Sequence, residues 1–152
     1  MGFTVAQRLV LIVAVASILT VSKAGGFDLD HKNGSRKIVV GGQEHWRFGY
    51  HYTSWALKTP FCVDDVLVFK YDAPNATTFP HSVYLLPDLV SFLDCDLSRA
   101  TLVANTTQGG GDGFEFVLKD WLRPYYFACG ENKGLHCKDG NMKFAAVPLL
   151  RH

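Results

Sequence analysis

Apolar residues along the chain fall into short runs, most of them with period two or continuous over four to seven positions. "KIVVGG" (37–42), "DVLVFKY" (65–71), "HSVYLL" (81–86), "FEFVLKD" (114–120), "YYFACG" (125–130) and "MKFAAV" (142–147) each predict a β-strand. Val, Phe and Tyr dominate these runs, and such side chains suit a pleated, half-buried surface. Turn-forming clusters separate them: Asp72-Ala73-Pro74-Asn75, Thr78-Phe79-Pro80, the Gly-rich stretch 108–113 and Asp139-Gly140. Pro124 stands just ahead of a strand, where its missing N–H costs least. One stretch has helical spacing instead: in "PDLVSFLDCD" (87–96), Leu89, Phe92 and Leu93 follow Asp88. Many short strands with frequent turns predict an all-β sandwich or barrel carrying one short helix.

The N-terminus breaks this pattern. Arg8 precedes an apolar run from Leu9 to Val21, which ends in Ser22-Lys23-Ala24. A basic residue, an apolar stretch of about 13 residues and a small-x-small site describe a secretory signal, and a membrane span needs about 20 residues. Cleavage after Ala24 leaves 128 of the 152 residues, enough for one domain with a core of its own. The polar, Gly-rich segment 25–36 is expected to be a loose arm and 37–152 the folded domain. "FAAVPLLRH" at the C-terminus carries no lipid-anchor signal. The expected home is therefore extracellular, with no membrane span in the mature chain.

Charge and glycosylation motifs agree with that setting. Arg8 and Lys23 leave with the signal, so 15 basic and 14 acidic residues become 13 and 14. A charge near −1 gives no electrostatic reason to bind nucleic acid or an anionic membrane. Three sequons begin at Asn33, Asn75 and Asn105, each among turn residues where a glycan can face water. Four cysteines in an oxidising compartment would ordinarily form two disulfides.

"YYFACGENKGLHCKDGNMKF" (125–144) departs from that expectation. It concentrates Cys129, His136, Cys137 and Met142 in one loop. A zinc site built on Cys129, His136 and Cys137 lacks the second close ligand pair that structural zinc usually takes. A thiol redox centre lacks a C-x-x-C pair and a βαβ setting. A blue-copper site needs one thiolate, two imidazoles and a weak axial donor. Cys129 ends a predicted strand, while His136 and Met142 follow on the loop and at the next strand's start. A second imidazole can come from His81, which follows Pro80 at the start of another strand. Met142 is the only methionine outside the signal segment. Elsewhere the chemistry is sparse. His31, His45 and His51 read as surface residues. "QGGGDGFEF" has the glycines of a phosphate loop, but a strand follows it instead of the required helix. Asp64-Asp65 and Asp94-Cys95-Asp96 have no base or nucleophile beside them, so no enzyme constellation is present.

Several blocks together carry a family likeness: "VVGG" with Trp46 beyond it, "WALKTPFCVDDVLVFKYD", "HSVYLL", the lone Cys of "SFLDCDLSRA", and "PYYFACGENKGLHCKDGNMKF". Over residues 37–148 the chain resembles the phytocyanins, plant blue-copper proteins of the cupredoxin superfamily, in their uclacyanin and plantacyanin types. The resemblance implies a Greek-key β-sandwich of seven or eight strands. It implies one type 1 copper held by His81, Cys129, His136 and Met142, and a disulfide between Cys95 and Cys137. It further implies a monomeric one-electron carrier in the apoplast or cell wall, with His136 as the electron's exit and a redox partner that could be a protein or a small molecule. Two departures stand out. Six residues, "GENKGL", separate Cys129 from His136 where the family usually has four. Asn141 intervenes between Gly140 and Met142 and becomes a rival axial donor. Cys62 is an additional thiol, and pairing it with Cys129 would leave a copper-free binding or structural module on the same sandwich.

Overall fold

The computed structural model describes residues 34–151. The candidate signal, most of the arm, His31 and the Asn33 sequon lie outside the described residues. Among the described residues there are seven strands: β1 (Lys37–Val39), β2 (Val66–Phe69), β3 (Val83–Leu86), β4 (Thr101–Ala104), β5 (Phe114–Val117), β6 (Tyr125–Ala128) and β7 (Lys143–Ala146). They form two sheets, β1-β2-β5 and β4-β3-β6-β7. Only β1 and β2 pair in parallel; the other pairs are antiparallel. The result is a Greek-key β-sandwich, as the strand pattern and the resemblance led us to expect.

The inner faces of the two sheets meet in an aromatic core. Leu67 and Phe69 of β2 face Val83, Phe127, Phe144 and Ala146 of the other sheet, and all are almost fully buried. Phe144 is the hub. Its ring centroid lies 5.2 Å from Phe127, 5.3 Å from Trp55 and 6.1 Å from both Trp46 and Phe69. Losing such a ring to alanine costs about 3–5 kcal/mol, because the sandwich cannot collapse into the space. Trp46 is satisfied as well as buried, donating its indole N–H to the Ser82 carbonyl at 3.0 Å.

Among the described residues there are three α-helices where the spacing predicted one: α1 (Tyr52–Ala56), α2 (Leu89–Asp94) and α3 (Leu135–Lys138), with a 3-10 turn at Gly42–Glu44. Helices α1 and α3 run five and four residues, too short to show a 3.6-residue period. Helix α2 lies where the spacing put it. Asp88 caps it by accepting the Ser91 N–H at 2.8 Å, and Cys95 ends it in the left-handed region at φ 54°. Its buried face is Ser91, Phe92 and the following Cys95; Leu89 and Leu93 are exposed.

The arm is not loose throughout. Arg36 is held by the fully buried carboxylate of Asp65, which accepts from the Arg36 backbone N–H at 3.1 Å and its guanidinium at 2.7 Å. Asp65 also accepts from the Cys62 N–H at 2.8 Å and from the Arg151 guanidinium. Both edges of the described domain thus converge on one carboxylate.

Candidate metal centre

One end of the second sheet builds the site. His81 and Ser82 lead into β3, just after Pro80. Cys129 follows β6 directly. His136 lies on α3, and Met142 precedes β7. The β6–β7 register pairs Phe127 with Phe144 and continues outward, the Cys129 N–H donating to the Met142 carbonyl at 2.9 Å. Directly opposed residues on antiparallel strands share a face. Cys129 and Met142 therefore share the inward face of Phe127 and Phe144, and both are fully buried. Asn141 is exposed. It adopts φ 53°, a left-handed conformation that asparagine tolerates, and turns the chain from α3 into β7. Lys143 is half-buried, donating from Nζ to the Phe92 and Leu93 carbonyls at 2.9 Å each.

His81, Cys129 and His136 offer ligand atoms that all lie within 4.8 Å of one another, and all three residues are buried. The separations are 3.3 Å between the two Nδ1 atoms, 3.5 Å from Cys129 Sγ to His136 Nδ1 and 3.9 Å from Sγ to His81 Nδ1. A point equidistant from the corners of that triangle lies about 2.1 Å from each, within the range of metal–nitrogen and metal–sulfur bonds of about 2.0–2.3 Å. Two imidazoles and one thiol in a trigonal array, with a thioether on the same buried face, match the donor set of type 1 copper.

The electrostatics favour a bound cation. Burial lowers the His81 pKa to about 4, with nearby His136 adding to the effect. Burial also lowers that of His136, against the opposing pull of Glu131. Both rings are therefore neutral at pH 7, with lone pairs free to bind. Burial pushes the Cys129 thiol up, although the Ser82 N–H, 3.5 Å from Sγ, favours the thiolate. An apolar pocket resists an unpaired thiolate, and a cation at the triangle's centre would remove that resistance.

The ligand loop is fixed from several sides. Cys95 and Cys137 are joined as a disulfide, tying α3 to the end of α2. Cys62 and Cys129 are both free thiols. Within "GENKGL" the chain makes a tight turn in which Asn132, Lys133 and Gly134 take φ values of 52°, 54° and 82°. Gly130 and Gly140 are required for close approach: a Cβ at 130 would meet the Tyr84 ring, and one at 140 would lie 2.5 Å from both the Phe48 ring and the His136 carbonyl. Phe48 packs edge-on to His136 with centroids 5.3 Å apart. No motif pointed to Phe48. His45 and His51 are exposed, and the glycines at 109–113 form a turn. Asn75 and Asn105 sit exposed, each side chain accepting from the threonine two positions on. No helix among the described residues is long and apolar enough to cross a membrane.

A small sandwich with this donor set at one end defines the cupredoxin class of metal-binding β-proteins. The sequence model of a family described as a plastocyanin-like domain matches residues 46–141, and the chain belongs to that family. The match contains His81, Cys129 and His136 and stops one residue short of Met142. Early nodulin-like protein 14 of Arabidopsis thaliana is 28% identical over 123 residues, covering 78% of this chain and 60% of that protein. Blue copper protein 1a of Medicago truncatula is 34% identical over 73 residues, covering 48% of this chain and 40% of that protein. The chain thus spans at most 60% of the length of these curated relatives. Among solved structures, cucumber basic protein, a blue copper protein, superposes with TM-score 0.56 at 26% identity, covering 74% of this chain and 99% of that one. Cucumber stellacyanin shares the fold with TM-score 0.60 at 22% identity, over 78% of this chain and all of that one.

Proposed function

We propose that this protein is a secreted one-electron carrier whose redox centre is a type 1 copper that His81, Cys129 and His136 would hold, with Met142 as a weak fourth donor. The observation that carries the reading is the triangle of two Nδ1 atoms and one Sγ, whose centre stands a metal–ligand bond length from each corner. A thioether as fourth donor suits copper, because structural zinc sites close with a fourth nitrogen, thiolate or carboxylate. When bound, copper supplies the one-electron change between Cu(I) and Cu(II).

The chain's own residues prepare that change. β3, β6 and the disulfide beside His136 hold the donors in place before metal arrives. The Ser82 N–H draws charge from the Cys129 sulfur, which favours the reduced state. Phe48 and the buried surroundings keep water from the donors. The signal-like segment 1–24 and the sequons at Asn33, Asn75 and Asn105 support an extracellular, glycosylated protein of the apoplast or cell wall. The Cys95–Cys137 disulfide belongs to the same oxidising setting. The protein acts as a monomer that exchanges electrons with a partner and does not turn over a substrate.

Colour tests the reading. Purified from a secretory host and loaded with Cu(II), the protein is expected to show a strong thiolate-to-copper absorption in the red, and Cys129→Ser to lose it. A colourless wild-type protein would support the copper-free module instead.

A further inference from the structure

A concavity of about 400 Å³ opens beside the centre, and His81 contributes to its wall. Its size is at the lower end of ligand pockets, ample for a molecule of one ring. Trp46 and Tyr71 form an apolar part of the wall, and Gly109 to Gly111 line it with backbone. The polar lining balances in charge. Arg47 is paired with Glu44, while Lys70 and Asp72 bring one further charge of each sign and have no ion-pair partner among the described residues. The walls are firmly built: the Trp46 backbone N–H donates to the Lys70 carbonyl at 2.9 Å and the Tyr71 backbone N–H to the Gly109 carbonyl at 3.0 Å. His136 is reached differently. It carries the Phe48 ring against its edge, with Phe48 41% exposed.

We propose that this groove is a docking site for a small, uncharged, hydroxyl-bearing electron donor, which delivers its electron to the centre through His81. The proposal rests on the copper reading above. Shape supports it, because an imidazole in the wall of a concavity can be approached by one small ring more closely than by a flat protein surface. Chemistry supports it too. A hydroxyl group both donates and accepts, so it can use a carboxylate and an ammonium together, whereas the balanced lining gives a highly charged donor no net attraction. For hydroquinone, a suitable probe, the balance would close with one electron leaving the ring by way of His81 to a Cu(II) held there and one hydroxyl proton going to water at the groove mouth, leaving the neutral semiquinone radical.

Two readouts test this, one of them independent of copper. In the metal-free protein, hydroquinone is expected to shift the amide resonances of Lys70 and Gly109 to Gly111 and to leave Phe48 and Gly140 unmoved. Gly110→Trp should abolish those shifts; a Cβ at Gly110 meets nothing within 4 Å, so the larger side chain can be carried without disturbing the fold. Thr78→Trp, on another part of the same lining, provides a second blocking variant. In the copper-loaded protein, both variants should keep the blue band and slow reduction by hydroquinone at least tenfold, while reduction by ferrocyanide stays within twofold. Shifts confined to the Phe48 face, no shifts at all, or unchanged hydroquinone rates in both variants would overturn the groove while leaving the copper reading intact. Absence of the blue band in the wild type would overturn both.

Discussion

Asn141 and Met142 are neighbours with different roles, and the backbone separates them. Asn141 takes the left-handed turn and faces solvent, while Met142 is fully buried beside Cys129 in the ladder. Met142→Gln is therefore expected to keep the blue colour and lower the reduction potential, since a harder oxygen donor favours Cu(II). Asn141→Ala should change the potential little. Electrochemistry on the two variants checks both, and a larger shift from Asn141→Ala would reverse the assignment. Lys133 tests the longer ligand loop. A side chain held at φ 54° carries strain of about 1–2 kcal/mol that glycine escapes, offset in part by glycine's greater unfolded-state freedom. Lys133→Gly is expected to stabilise the protein by about 0.5–1 kcal/mol in denaturant unfolding, with the loop's path unchanged.

At the level of elements, the disulfide is the strongest single constraint on the ligand loop. Its cysteines are 42 residues apart, and closing a loop of that length is worth about 4 kcal/mol in the chain-entropy model. The double variant Cys95→Ala/Cys137→Ala should lose about that much in chemical denaturation and bind copper more weakly, because α3 would no longer be tied to α2. The elements differ in how plainly the sequence announces them. Six strands were legible because Val, Phe and Tyr alternate or run together in them. β4 was not: in "TLVA" only Leu102, Val103 and Ala104 are apolar, a run shorter than the four to seven positions that mark the other strands. Observed strands are shorter than the apolar runs. His81 and Ser82 fall outside β3, since Pro80 has no N–H with which to continue a ladder, and this frees His81 for the site. Pairings that depend on the fold were beyond periodicity. The edge of Phe48 on His136 joins residues 88 positions apart with no motif to connect them.

For the whole molecule, Asp65 joins the segment entering β1, the Cys62 turn and the C-terminal Arg151. Burial alone would raise its pKa, but the Arg36 ion pair and the amides of Cys62 and Arg36 outweigh that and hold it below its ordinary 3.8. A depressed carboxylate stabilises the fold above its unfolded value, and that contribution is lost as pH falls through the lower folded value. Wild-type stability should therefore decline below about pH 4, and Asp65→Asn should show a shallower decline there. At neutral pH the same variant is expected to lose about 2 kcal/mol in denaturant titration, because the two arginines keep access to water after their partner's charge is gone. The blue band should survive, since this clamp touches none of the proposed donors.

The claim on which the rest depends is the geometry of His81, Cys129 and His136 around one metal ion. X-ray absorption at the copper edge of the loaded protein measures it directly. The expected first shell is two nitrogens and one sulfur at about 2.0–2.3 Å, as the triangle's dimensions require, with the sulfur lost in Cys129→Ser. A first shell of nitrogen and oxygen alone in the wild type would contradict the assignment.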